Sequence, residues 1–200
     1  MTQRKFRTID LTLGAVFVVL MMIGANIAFW IPAFKITYAS GEVPITLQTF
    51  FAILAGILLG RKLGSFSMIV YLAIGIAGVP VFAEMKSGAF QLISPTGGFL
   101  ISFVFVAYVT GLICEKIGEN NLSKYFLATI AGLIVNYVIG TPYMYLSLNH
   151  VIEVSISMKA SILTMVPFFI KDFCITMAMA AIMPQLVSRL QKVSPTLNTK

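Results

Sequence analysis

Apolar runs of 15 or more residues recur from one end of this chain to the other, and no long polar block separates them. A hydrocarbon core about 30 Å thick is crossed by about 20 such residues in a helix, because only a helix or a closed barrel satisfies its own backbone there. Of the 200 residues 58% are hydrophobic and 10% charged, with a mean hydropathy of +0.95. A soluble domain of this size carries about a quarter charged residues. The chain therefore reads as an all-α, polytopic membrane protein built as a single domain over residues 1–200.

Six spans fit the hydropathy, at about 11–30, 45–60, 65–80, 97–114, 125–145 and 167–187. The third is short for a crossing. Turn residues and charges punctuate the runs: Gly60-Arg61-Lys62, Gly78-Val79-Pro80, Ser94-Pro95-Thr96-Gly97-Gly98 and Glu115-Lys116. The first run follows Arg4, Lys5 and Arg7 as a signal peptide would. It continues to Trp30 without a clear small-residue cleavage site, so it reads as a retained helix.

Cations are distributed unevenly about these spans. With the N-terminus inside, ten lie in inner segments: Arg4, Lys5, Arg7, Arg61, Lys62, Lys116, Lys124, Arg189, Lys192 and Lys200. Only Lys35, Lys86 and Lys159 lie in outer loops. That asymmetry orients the chain with both termini cytoplasmic, in the cell membrane. It also accounts for the net charge of +7 without nucleic acid as a partner.

Several chemistries are poorly served. There is no Walker-type loop for ATP hydrolysis. His150 is the only histidine, and Cys114 and Cys174 lack metal-ligand spacing, so no metal, cofactor or disulfide is expected. No Ser or Cys has an evident base, so the chain is not read as an enzyme.

One pair stands out within the last apolar run, Lys171-Asp172. A charge at the centre of a span costs roughly 2.5–3.5 kcal/mol on insertion scales, so such groups pair, line a wet cavity or hold a ligand. Being adjacent, the two point to different faces, and each is expected to seek its own partner. From Lys171 to Lys192 is 21 residues, about 31 Å of helix, which puts the pair at the outer mouth. With a helix starting near Pro167, Asp172 also sits in early turns that favour an anion. Gln48, Thr141 and Tyr143 lie toward the same mouth, and Asn136 lies deeper.

The outer loops 32–44, 80–96 and 149–159 are apolar enough to form a cup over that mouth, or to lie in the headgroup region. Such a site suits a small molecule with one carboxylate, several hydrogen-bonding groups and an apolar body. Lys171 or Lys86 would take the carboxylate. Asp172, Gln48 and Asn136 would meet an amide-like head, and Phe82, Tyr143 and Phe168 or Phe169 would cover the apolar part. The structural alternative is that these amides bridge helices and the lysine snorkels.

The run Val43-Pro44-Ile45-Thr46-Leu47-Gln48-Thr49-Phe50, with Leu54-Ala55-Gly56 and Leu59-Gly60, resembles the signature of the BioY proteins. These are biotin-binding S-components of energy-coupling factor (ECF) transporters. Lys62-Leu63-Gly64, Tyr71-Leu72, Gly75, Gly78-Val79-Pro80-Val81-Phe82-Ala83, Ser94-Pro95-Thr96-Gly97-Gly98, Asn136-Tyr137, Tyr143 and Val166-Pro167-Phe168 through Asp172 extend the match over nearly the whole chain. The resemblance implies a six-helix S-component that captures biotin from outside, with Thr96 among its ligand-binding residues. It implies partnership with a transmembrane coupling protein and two ATPases, which supply the energy this chain lacks; self-association is the alternative.

Two positions depart from the family pattern. Lys171 stands where the family has Gly, and Ile175 where it has Lys. The first helix carries Ala15 with Val19, and Gly14 with Val18, in place of an Ala-xxx-Ala docking face. The alternative function is an S-component for another vitamin such as lipoate, thiamine or riboflavin; a ligand-free structural bundle is the bland one.

Overall fold

The computed structural model describes residues 8–31, 35–38 and 41–193, by their backbone alone at 35–38, 41–43 and 191–193. Arg4, Lys5, Arg7, Pro32, Phe34 and Lys200 lie outside the described residues. The architecture is a helical bundle: α1 Thr8–Ala25, α2 Ile27–Trp30, α3 Gln48–Ile76, α4 Phe90–Ile93, α5 Gly97–Ile117, α6 Leu122–His150 and α7 Met158–Val193. Five of these helices are long and apolar enough to cross a membrane. One element departs from the all-α expectation: β1 Lys35–Tyr38 and β2 Gly41–Pro44 form an antiparallel hairpin in the segment read as the first outer loop.

The second and third expected spans are the two arms of one folded element. α3 breaks at Gly60, whose φ of 78° and ψ of 172° lie in a region that is essentially glycine-only. In a straight helix Gln48 and Tyr71 would stand about 35 Å apart. Instead the Gln48 side-chain amide donates to the Tyr71 hydroxyl at 2.9 Å, so the chain turns back on itself. The arms then run in contact, and a Cβ added at Gly64 would lie 3.0 Å from the Ala55 carbonyl oxygen. Arg61 secures the tip. Its backbone N–H donates to Glu115 Oε1 at 2.9 Å, and its guanidinium meets Oε2 at 3.0 Å.

α3 is the hub of the bundle. It packs most extensively on α5, then on α1, while α6 joins α5 and α7 joins α6. The α3–α5 approach is close because the contact positions are small: a Cβ at Gly56 would fall 2.4 Å from the Ala107 carbonyl oxygen. Gly24 and Gly75 likewise meet rings, of Phe51 and Phe82, within their own bundle. Gly78 does not, since it is a turn residue with φ 106° and open space around it.

α7 begins nine residues before the expected start, at Met158 rather than Pro167, and Pro167 lies within it. Proline marks helix starts in water, but within a membrane bundle the broken backbone bond is tolerated. Asp172 is therefore several turns inside the helix, and the dipole at the N-terminus, felt only over the first turn, does not act on it. α1 is shorter than expected, because Asn26 interrupts the run between α1 and α2.

Gly60→Ala tests the reversal. Its backbone suits only glycine, and its new Cβ would meet Glu115 Oε1 at 2.8 Å. Loss of about 1–3 kcal/mol of stability is expected, read as a lower Tm in detergent; an unchanged Tm would contradict the fold-back.

Candidate functional site

At the end of the bundle opposite the Gly60 tip, polar side chains from α3, α5, α6 and α7 form three neighbouring buried hydrogen-bonded clusters, which together make a polar network. Its centre is Asp172, 4% exposed in the half of α7 facing α6. Lys171 Nζ meets Asp172 Oδ1 at 2.5 Å and donates to the Thr46 carbonyl oxygen at 2.6 Å. The Tyr137 hydroxyl donates to Asp172 Oδ2 at 2.8 Å. Both carboxylate oxygens are thus engaged, and α7 is tied to α6 and to the segment entering α3.

The two charges pair with each other, contrary to the expectation that each would find a separate partner. Adjacent positions differ by about 100° around a helix, but the long lysine stem spans that angle, and the amine then reaches Thr46 as well. Pairing lowers the cost of holding either charge away from water.

Beside this centre, Ser102 Oγ donates to Asn136 Oδ1 at 2.6 Å, and Asn136 Nδ2 donates to Thr49 Oγ1 at 3.2 Å. Asn136 precedes Tyr137 on α6, and Gln48 precedes Thr49 on α3. The Gln48 amide leads on through the Tyr71 hydroxyl to the Val81 carbonyl oxygen, which accepts at 2.9 Å. Rings border the network. Tyr137 meets Phe99 and Phe169 edge-on, with centroids 5.7 and 5.1 Å away. A groove of about 520 Å³ between α6 and α7, lined by Ile134, Tyr137, Val138, Pro142, Ile162 and Phe169, shares Tyr137 as a wall.

Of the expected site residues, Asp172, Lys171, Gln48 and Asn136 belong to this network. Phe82 is buried on its edge, its ring over Gly75 and edge-on to Tyr71 at 5.6 Å. The other three are placed differently. Lys86 is exposed and pairs with Glu84 at 2.8 Å. Thr96 meets Ser94 at 3.1 Å before α5. Tyr143 donates to the Leu92 carbonyl oxygen at 2.7 Å and packs on Gly98, bracing the loop. Among the described residues none of their hydrogen bonds reaches Asp172.

Tyr137, Tyr71, Ser102 and the Thr46 carbonyl are partners that the site reading did not assign. Tyr137 carried a signal, as a polar residue next to Asn136 in a span; a backbone carbonyl carries none. The network offers an acidic acceptor, amide donors and acceptors, and one cation, bordered by aromatic rings. It can hold a neutral head that both donates and accepts hydrogen bonds. No group of His, Cys, Asp and Glu among the described residues could hold a metal ion.

A sequence model of the BioY family matches residues 1–192. The chain belongs to the BioY family. Among its BioY relatives is a probable biotin transporter BioY of Lysinibacillus sphaericus, 35% identical over 191 residues, 93% of this chain and 88% of that protein. The biotin transporter BioY of Thermotoga maritima is 38% identical over 127 residues, 64% of this chain and 69% of that one. The fold is similar to the crystal structure, at 2.1 Å, of the S-component for biotin from an ECF-type ABC transporter. That likeness has a TM-score of 0.68 at 24% identity and covers 96% of this chain and 95% of the other. The BioY chain is a multi-pass membrane protein and not an enzyme.

Breaking one half of a buried ion pair strands the other charge. Lys171→Met is expected to cost about 3–5 kcal/mol of stability, and Lys171→Met with Asp172→Asn less than Lys171→Met alone. Thermal unfolding of the two variants in detergent decides; equal losses would show that the two charges do not interact.

Proposed function

We propose that the chain is the substrate-binding membrane subunit that captures biotin on the outer face and mediates its uptake with an ATP-driven ECF module. The observation that carries this reading is the buried network centred on Asp172, Tyr137 and Asn136 in a BioY-family chain whose relatives are named biotin transporters. Biotin has a cyclic urea head that donates two N–H groups and presents one carbonyl, an apolar bicycle, and an aliphatic chain ending in a carboxylate. Asp172 accepts from the urea N–H groups, while Asn136 and Gln48 complete the hydrogen bonding around the head. Ligand entry exchanges the internal partners of these groups for those of the ligand, so few buried polar atoms are left unpaired.

Lys171, or Lys86 from the loop, takes the carboxylate. Phe82, Tyr143 and Phe169 cover the apolar part, and Thr96 completes the rim. Each arm of α3 counts as one crossing, which gives six crossings with both termini in the cytoplasm. The basic residues support that orientation: Arg61, Lys62, Lys116, Lys124 and Arg189 all fall at the Gly60 end of the bundle. The Asp172 network then opens outward. Energy comes from a transmembrane coupling protein and two ATPases.

Equilibrium binding to the purified chain tests the assignment. Biotin is expected to bind at submicromolar concentration and to outcompete lipoate, thiamine and riboflavin. Asp172→Asn is expected to weaken it at least tenfold, about 1.4 kcal/mol. No biotin binding at micromolar ligand, or tighter binding of another vitamin, would overturn the proposal.

A further inference from the structure

α1 stops at Ala25, and the residue that stops it is fully buried. Asn26 has φ −106° and ψ 12°, outside the helical range, and is 0% exposed. Its Nδ2 donates back to the Met22 carbonyl oxygen at 3.0 Å, which fixes the amide plane. Its Oδ1 then faces outward from α1 and accepts from the Met85 backbone N–H at 2.7 Å. Two residues earlier, the Gly24 carbonyl oxygen accepts from the N–H of Leu47, immediately before Gln48, at 2.8 Å. The end of α1 therefore clamps two segments at once: the start of α3 and the loop after it.

The loop held by Asn26 is strained. Glu84 and Met85 are consecutive non-glycine residues with φ of 59° and 56°, a conformation L side chains rarely adopt. Phe82 N–H to the Lys86 carbonyl oxygen, 3.0 Å, closes the loop on itself. The Met85–Asn26 hydrogen bond ties residues 83–85, which also pack against α1 and α2, to the junction of those two helices. Phe82, at the root of the loop, lies over Gly75 and against Tyr71, whose hydroxyl binds Gln48. A loop needing only to turn would use glycine at 84 and 85. A buried amide that enforces an unfavourable backbone indicates that one loop position is required.

We infer that Asn26 is a positioning residue that holds the loop 82–86 closed over the Gln48 side of the ligand network and so sets how long the ligand stays. It touches no ligand. It acts through Met85 on Phe82 and, through Tyr71, on Gln48. The inference rests on the biotin reading for its ligand, and on the clamp geometry for everything else.

The test is biotin release from the purified chain in detergent. Asn26→Ala is expected to release biotin about tenfold faster, with association altered less than threefold, because the open loop no longer retains a bound ligand. Adding Glu84→Gly and Met85→Gly to Asn26→Ala is expected to restore most of the slow release, since glycine takes the left-handed backbone without being held there. A wild-type release rate in Asn26→Ala, or no rescue by the glycine pair, overturns the inference. Should Asn26→Ala fail to fold, amide exchange in the wild-type chain decides: the Met85 N–H is protected, and free exchange there overturns the inference. Absence of biotin binding in the wild type would instead defeat the ligand assignment, and the Met85 amide would still decide the clamp.

Discussion

A bilayer interior offers no water to a peptide or side-chain polar group, and this chain is arranged around that constraint. Backbone groups are satisfied within helices. Many of the polar side chains that remain gather in three neighbouring hydrogen-bonded clusters: Lys171, Asp172 and Tyr137; Asn136 with Ser102 and Thr49; and Gln48 with Tyr71 and the Val81 carbonyl. Among the described residues a single buried side-chain atom, Thr129 Oγ1, lacks a partner. The network doubles as the tie between helices and as a set of groups that a polar ligand head can take over.

Folding α3 back at Gly60 is what makes this convergence available. The reversal returns Tyr71 beside Gln48 and leaves the loop 77–89 at the same end as the start of α3. Small residues at Gly56 and Gly64 let the arms and α5 approach closely enough for short side chains such as Thr49 and Ser102 to reach across. A membrane bundle gains little from hydrophobic burial between its helices, so packing and these bonds hold it.

Charges and amides are scarce in an apolar chain, so Lys171, Asp172, Gln48 and Asn136 could be singled out for their cost alone. Lys171 and Asp172 pair with each other, and Asn136 and Gln48 each anchor a neighbouring cluster. The internal partners of Lys86, Thr96 and Tyr143, which are Glu84, Ser94 and the Leu92 carbonyl, were not legible. Side-chain type does not say which way a loop turns or which loop a helix braces. Pro167 misled for a related reason: it reads as a helix start, yet its neighbours in the bundle let the helix run through it.

The order of apolar runs, the bias of the cations and the family signature follow from the residues themselves, because hydropathy and charge act through local composition. They determined a multi-pass helical membrane protein of the BioY family. Only the tertiary structure decided that Lys171 and Asp172 meet Tyr137 and Thr46, that the second and third apolar runs are a single folded element, and that Asn26 reaches Met85. Each of those depends on a backbone angle or a contact between residues distant in the chain, and neither is written in the composition of any one segment.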